Sequence, residues 1–260
     1  METQERILIE DVFGLSLTDI CGGALERLSD ADKERLEELK KRLKAGEPVQ
    51  YVTGKAPFCD YIFHVAPGVL IPRPETEELV EKIFAIASGN SHCRRILDIG
   101  TGSGCIAITL ALGGNDVTAW DISDDALIIA RDNAERLGAA VTFEKRDILQ
   151  SQDGMPAGQW DIIVSNPPYI CKKEAANMES NVLDHEPHEA LFVPDEEPLL
   201  FYEAIAHYGI NSLKDNGILA FEINPLYADE LARLLSFLGY HDVSVLQDSY
   251  GKERFIICYR

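Results

Sequence analysis

The sequence predicts an α/β protein: a mostly parallel sheet closed by an antiparallel pair of strands, preceded by a small helical domain. Three observations predict it. Apolar runs at Arg95–Ile99, Val117–Ile122, Val141–Phe143, Asp161–Ser165 and Gly217–Ile223 alternate with helix-like stretches. Those include Gly104–Leu112, Asp124–Leu137, Leu199–Leu213 and Tyr227–Leu238. Such alternation gives βαβ units and a sheet covered on both faces. The chain ends differently, with Asp242–Leu246 and Arg254–Tyr259 flanking a Ser249-Tyr250-Gly251 turn. Two strands joined by so short a turn pair antiparallel. The first 46 residues show helical periodicity instead.

In that region Leu28–Ala45 reads as a helix, with a shorter one at Ile7–Val12. Ser29 with Asp32 resembles a capping box, Leu36, Leu39 and Leu43 mark one apolar stripe, and Gly46 ends the helix. Glu37 and Glu38 stand four residues before Lys41 and Arg42, the favourable order for exposed ion pairs. From Glu47 to Pro74 the texture turns aromatic and β-branched. Tyr61–Val65 reads as one arm of a hairpin with Pro67-Gly68 as its turn. The expected divisions are therefore a helical domain over 1–46, a hairpin linker over 47–74 and one large domain over 75–260.

The chain has 260 residues, 46% hydrophobic and 26% charged, which is ordinary for a soluble globular protein and excludes disorder or a small disulfide scaffold. Its longest apolar stretches fall far short of the ~20 residues a membrane span needs. No secretory signal is visible in METQERILIEDVF, so a cytoplasmic location is expected. The net charge of -20 disfavours a partner gripped through its phosphate backbone. The six cysteines form no CxxC, and reduced, mostly buried thiols are expected.

Chemistry first shows in LDIGTGSG, Leu97–Gly104, where the first strand of the alternating region ends. Gly100, Gly102 and Gly104 allow a tight turn and close approach to a ligand, and Thr101 and Ser103 lie between them. The following helix points free N–H groups at the same place. Asp121 ends the next strand 21 positions after Gly100, at the spacing of a ribose-binding acid. Asp147 follows the third strand at the same edge. No P-loop lysine motif is present, and the last glycine comes one residue earlier than in the dinucleotide fingerprint. A nucleoside without a pyrophosphate fits better, which favours S-adenosylmethionine over NAD.

The fourth strand, DIIVS, runs into Asn166-Pro167-Pro168-Tyr169. The two prolines fix their own φ and carry no N–H, so the backbone here presents carbonyl acceptors. Asn166 adds a side-chain oxygen and Tyr169 a flat aromatic face. This combination suits a planar group bearing NH2, held by two N–H bonds and stacked on the ring. Alignment for in-line attack on a sulfonium methyl is the main contribution such a site can make.

LDIGTGSG followed by Ser165–Tyr169 resembles the class I N-methyltransferases that act on planar nitrogens. More narrowly, VLIPRPETEELV (Val69–Val80) with VSNPPYI (Val164–Ile170) resembles the bacterial peptide-chain release factor glutamine N5-methyltransferase family. PVQYVTG (Pro48–Gly54), the Glu186–Leu191 segment and DSYGKERF (Asp248–Phe255) extend the resemblance over nearly the whole chain. It implies a Rossmann-like, seven-stranded class I methyltransferase domain behind a helical domain that recognises the protein substrate. The implied reaction moves methyl from S-adenosyl-L-methionine, leaving S-adenosyl-L-homocysteine, to the glutamine amide of a release factor's GGQ tripeptide. Residues 100–104 would hold the cofactor's methionine end, Asp121 its ribose, and Ile148 beside Asp147 its adenine. Asn166, Pro167, Pro168 and Tyr169 would bind the glutamine, with Asn166, Pro167 and Tyr169 catalytic, and the Ile71–Thr76 loop would lie over the cofactor pocket. No metal, membrane or stable nucleic-acid partner is implied.

Besides a helical region that is short at its start for the family, two stretches depart from the family pattern. Phe192-Val193-Pro194-Asp195 stands where glycines are expected, and EINPLY (Glu222–Tyr227) where a glycine and a glutamine are usual. Asp184–Glu189 has the composition of a metal cluster, but Pro187 breaks any helix that would set both histidines on one face. Asn224-Pro225 and Lys172-Lys173 read as loops. Three other readings stay open: a glutamine methyltransferase of a ribosomal protein, an adenine-N6 DNA or RNA methyltransferase requiring base flipping, and a cofactor-binding protein without activity.

Overall fold

A computed structural model describes residues 3–87, 93–150 and 157–260. Four helices open the chain: α1 (Thr3–Phe13), α2 (Leu17–Cys21), α3 (Asp30–Lys44) and α4 (Val49–Thr53). Leu8 and Ile9 of α1, Leu36 of α3, and Val49 and Val52 of α4 form one buried cluster. The Ser29 hydroxyl caps α3 by accepting from the Asp32 N–H. Gly46, at φ +91°, ends it, and the N–H groups of Gly46 and Glu47 reach back to the carbonyls of Leu43 and Arg42.

A hairpin follows, β1 (Lys55–Phe58) and β2 (Tyr61–His64), with Phe58 opposite Tyr61. Its turn is therefore Cys59-Asp60, not Pro67-Gly68 as expected. Cys59 adopts φ +49°, which closes the turn in two residues and brings the buried rings of Phe58 and Phe63 edge to face at 5.9 Å. Pro67-Gly68 instead opens a loop leading to α5 (Pro74–Ala87), a helix the sequence reading does not assign. Proline at the first helical position with Glu75 and Glu77 in the first turn favours its start.

The alternating region supplies β3 (Arg95–Ile99), α6 (Cys105–Leu112), β4 (Asp116–Asp121), α7 (Asp124–Leu137), β5 (Val141–Lys145) and β6 (Trp160–Ser165). Next come β7 (Ile170–Cys171), α8 (Ser180–His185), α9 (His188–Leu191), β8 (Phe192–Val193), α10 (Leu200–Ser212) and β9 (Leu213–Glu222). The chain closes with α11 (Ala228–Phe237), β10 (His241–Gln247) and β11 (Glu253–Tyr259). Seven strands form one sheet in the order β5-β4-β3-β6-β9-β11-β10. All pair in parallel except β11, which runs antiparallel to both β9 and β10.

Side chains alternate between two cores. Leu97, Trp120, Ile163 and Phe221 pack with α10 and α11 on one face, while Ile96, Val117, Ile162 and Ala220 pack with α5 and α6 on the other. From β3 the chain steps outward through β4 and β5, then returns to place β6 on the opposite side of β3. Strand order reverses there, so a crevice opens beyond the carboxyl ends of β3 and β6. Three of the six cysteines, Cys105, Cys171 and Cys258, are buried and Cys21 and Cys93 are exposed, so the expectation of mostly buried thiols holds for half of them.

Candidate active site

The glycine loop occupies one side of the crevice. Gly100, Gly102 and Gly104 all have positive φ, at +75°, +55° and +83°. A Cβ on Gly100 or Gly102 would meet only open space, whereas one on Gly104 would lie 2.8 Å from Ile108 and 3.1 Å from Ala130. The first two glycines thus leave room for a ligand, and the third lets α6 pack on α7. Asp121 braces the loop from β4: its Oδ2 accepts from the Gly102 N–H at 2.8 Å and its Oδ1 from the Ser123 N–H at 2.9 Å. Burial raises its pKa against the pull of these bonds. Thr101 and Ser103 are buried within the loop.

Beneath the loop lies Asp98, fully buried and not singled out by the sequence reading. Its Oδ2 accepts from the Thr101 hydroxyl at 2.6 Å, and its Oδ1 has no hydrogen-bond partner. Burial pushes its pKa up to about 7. Asp147, at the end of the third parallel strand's loop, accepts from the Leu149 N–H and the Gln150 amide, and Ile148 beside it is buried. Open glycine faces, carboxylates at two strand ends and a buried carboxylate oxygen in want of a donor fit a nucleoside with a cationic tail.

The other side of the crevice is the NPPY turn after β6. Asn166 Nδ2 donates to Thr76 Oγ1 at 3.1 Å. Thr76, on α5, donates in turn to Glu222 Oε2 at 2.6 Å, and the Tyr169 hydroxyl donates to Glu222 Oε1 at 3.0 Å. Glu222, at the end of β9, is 1% exposed. Burial raises the pKa of both Glu222 and Tyr169. Arg254, ion-paired with Asp248, favours charge on Glu222. Asn166, Pro167 and Tyr169 line a cavity of about 270 Å³ with Ile170, Met178 and Leu191. Pro168 follows in the same turn.

Both departures from the family pattern buttress this turn. Asn224 of EINPLY is no idle loop residue: its Nδ2 donates to the Tyr169 carbonyl at 3.1 Å. Phe192 and Val193 form β8, paired in parallel with Ile170 and Cys171 of β7, while Asp195 accepts from the Lys173 N–H. Glu186 holds the Ile71–Thr76 loop, accepting from the Ile71 N–H at 3.1 Å and from the Arg73 guanidinium. His188 meets the Leu183 carbonyl. Pro187 separates the two short helices bearing His185 and His188. Among the described residues no group of three His, Cys, Asp or Glu side chains could hold a metal ion.

Comparison with known proteins accords with this geometry. The methyltransferase small domain family matches residues 76–189 and the PrmC N-terminal domain family residues 2–54. A release factor glutamine methyltransferase of Bacteroides thetaiotaomicron is 50% identical over 252 residues, covering 96% of this chain and 89% of that protein. The chain belongs to the release factor glutamine methyltransferase family. Its Bacillus subtilis relative is 38% identical, covering 97% of this chain and 88% of its own length. Among solved structures, a 16S rRNA methyltransferase from T. thermophilus superposes with a TM-score of 0.60 at 18% identity, over 79% of this chain and 49% of that one. A methyltransferase from Pyrococcus furiosus gives 0.54 at 19%, over 89% and 98%. At those identities the likeness shows the fold, a class I methyltransferase sheet, as expected.

Proposed function

We propose that this family member methylates the side-chain amide nitrogen of the glutamine in a release factor's GGQ tripeptide, using S-adenosyl-L-methionine. The observation that carries this reading is the NPPY turn, whose Asn166, Pro167 and Tyr169 line a cavity beside the carboxyl ends of β6 and β9. The cofactor, when bound, supplies an electrophilic methyl group on a sulfonium. Gly100, Thr101, Gly102, Ser103 and Gly104 with Asp121, Asp147 and Ile148 are the residues suited to hold it, together with the backbone at Asn166.

The chain's own contribution is alignment. Asn166 Oδ1 and the Pro167 carbonyl accept the two N–H groups of the glutamine amide, so its nitrogen presents its remaining lone-pair direction out of the amide plane. The Tyr169 ring packs on that plane. An amide nitrogen is a poor nucleophile, so fixing it for in-line attack does most of the work. The two acceptors also stabilise positive charge developing on the nitrogen, and the methylated amide loses its proton without a strong base.

We read the helical N-terminal region, over 1–46, as the part that recognises the protein substrate, with 47–74 linking it to a catalytic domain over 75–260. No described helix is long and apolar enough to cross a membrane, and a cytoplasmic site of action, where release factors work, follows from the substrate. The test is to incubate the protein with labelled S-adenosylmethionine and, separately, release factor, ribosomal proteins and duplex DNA. Label in the release factor alone is expected. Label in DNA, or persisting in a release factor whose GGQ glutamine is replaced, would overturn the reading.

A further inference from the structure

We infer that Thr76 and Glu222 are positioning residues that fix which way the Asn166 amide faces, and so present its oxygen, not its NH2, to the substrate. The inference rests on the amide-methylation reading above and concerns how its central residue is set.

An asparagine amide turned by half a rotation exchanges an acceptor for two donors with almost no change in shape. In a site that must accept N–H groups, the reversed amide is useless. Its direction here follows from the hydrogens available. Glu222 accepts at both of its oxygens, at Oε2 from Thr76 and at Oε1 from Tyr169. The single Thr76 hydrogen therefore points to Glu222, at 2.6 Å. Toward Asn166, Thr76 Oγ1 has only a lone pair to offer, so the atom 3.1 Å away must be the amide nitrogen. Asn166 Oδ1 is left to face the opposite way.

Burial makes this order costly to break. Thr76 and Glu222 are 3% and 1% exposed, so water is poorly placed to replace either bond, and reversing Asn166 would set its oxygen against the lone pair of Thr76. Glu222 also anchors the Tyr169 hydroxyl, so one carboxylate fixes both side chains of the turn. Thr76 does not line the cavity, so it acts through Asn166, whereas Glu222 reaches the cavity beside Tyr169.

The decisive variant is Thr76→Val, which keeps shape and removes the hydroxyl, with Thr76→Ser restoring it. Methylation of release factor by the wild-type chain first establishes the reaction; its absence sinks the parent reading, not this one. Given that reaction, Thr76→Val should lower kcat by about 10–100-fold, with KM for release factor and cofactor Kd by calorimetry within about threefold of wild type. Thr76→Ser should recover kcat to within about threefold. A Thr76→Val enzyme with wild-type kcat, or a Thr76→Ser enzyme as impaired as Thr76→Val, overturns the inference. So does a loss in Thr76→Val confined to KM or to cofactor affinity.

Discussion

The Tyr169 hydroxyl donates to Glu222 at 3.0 Å, tying the NPPY turn after one parallel strand to the end of its neighbour. β6 and β9 are paired along their length, with Ser165 opposite Phe221, so their carboxyl ends arrive together and the turn is set by the sheet itself. The ring and the hydroxyl of Tyr169 then have separable roles. Tyr169→Phe keeps the face proposed to pack on the amide and loses one anchor, so kcat should fall by about tenfold or less. Tyr169→Ala loses both and should fall by at least another tenfold. Steady-state kinetics showing equal losses in the two variants would contradict this division.

Asn166→Ala removes the side-chain acceptor while leaving the glycine loop and Asp121 intact. Cofactor Kd by calorimetry should stay within a few-fold of wild type while turnover is lost. Lost cofactor affinity with normal turnover at saturation would contradict the role given to Asn166.

Glu186 is buried and holds the Ile71 N–H and the Arg73 guanidinium, which lie 115 and 113 positions earlier in the chain. Glu186→Ala leaves a buried N–H and a half-buried cation without their partner, at a cost of about 1–3 kcal/mol. Thermal unfolding should show Tm lower by several degrees. A variant melting with wild type would mean that the loop is held by other contacts, such as the Tyr51 hydroxyl on the Val69 carbonyl.

Asp98 makes stability depend on pH in an unusual direction. Its pKa is about 7 in the fold against 3.8 for a free carboxyl, so the folded chain binds more protons between those values. Asp98 therefore lowers stability progressively as pH rises from about 4 to about 7, by up to about 4 kcal/mol, and the penalty stays constant above. Asp98→Asn still accepts from Thr101 and carries no charge. In the absence of cofactor it should be more stable than wild type at pH 8, with the difference vanishing near pH 4. Urea unfolding showing a pH-independent difference would contradict this.

Strands and helices that follow one another closely are legible in the sequence because apolar runs and capping residues act over a few positions. NPPY and LDIGTGSG are legible for the same reason: each is a contiguous turn. What escapes is what the sheet brings together from afar. Thr76 and Glu222 stand 146 positions apart, and nothing local to either marks it as part of the chain of bonds that ends at Asn166. The hairpin shows the opposite error. Pro67-Gly68 is a strong turn signal, whereas the left-handed Cys59 turns the chain where Phe58 is buried against Phe63. Asn224 and Phe192-Val193 read as departures from a pattern, yet each supports the Tyr169 turn from a distance the sequence does not display.

The central claim is that the amide nitrogen of one glutamine is the methyl acceptor. Mass spectrometry of a release factor incubated with S-adenosylmethionine and either wild-type or Asn166→Ala protein addresses it directly. One added methyl should map to the GGQ glutamine side chain with wild-type protein and be absent with Asn166→Ala. A methyl on any other residue, or full modification by Asn166→Ala, would contradict the account.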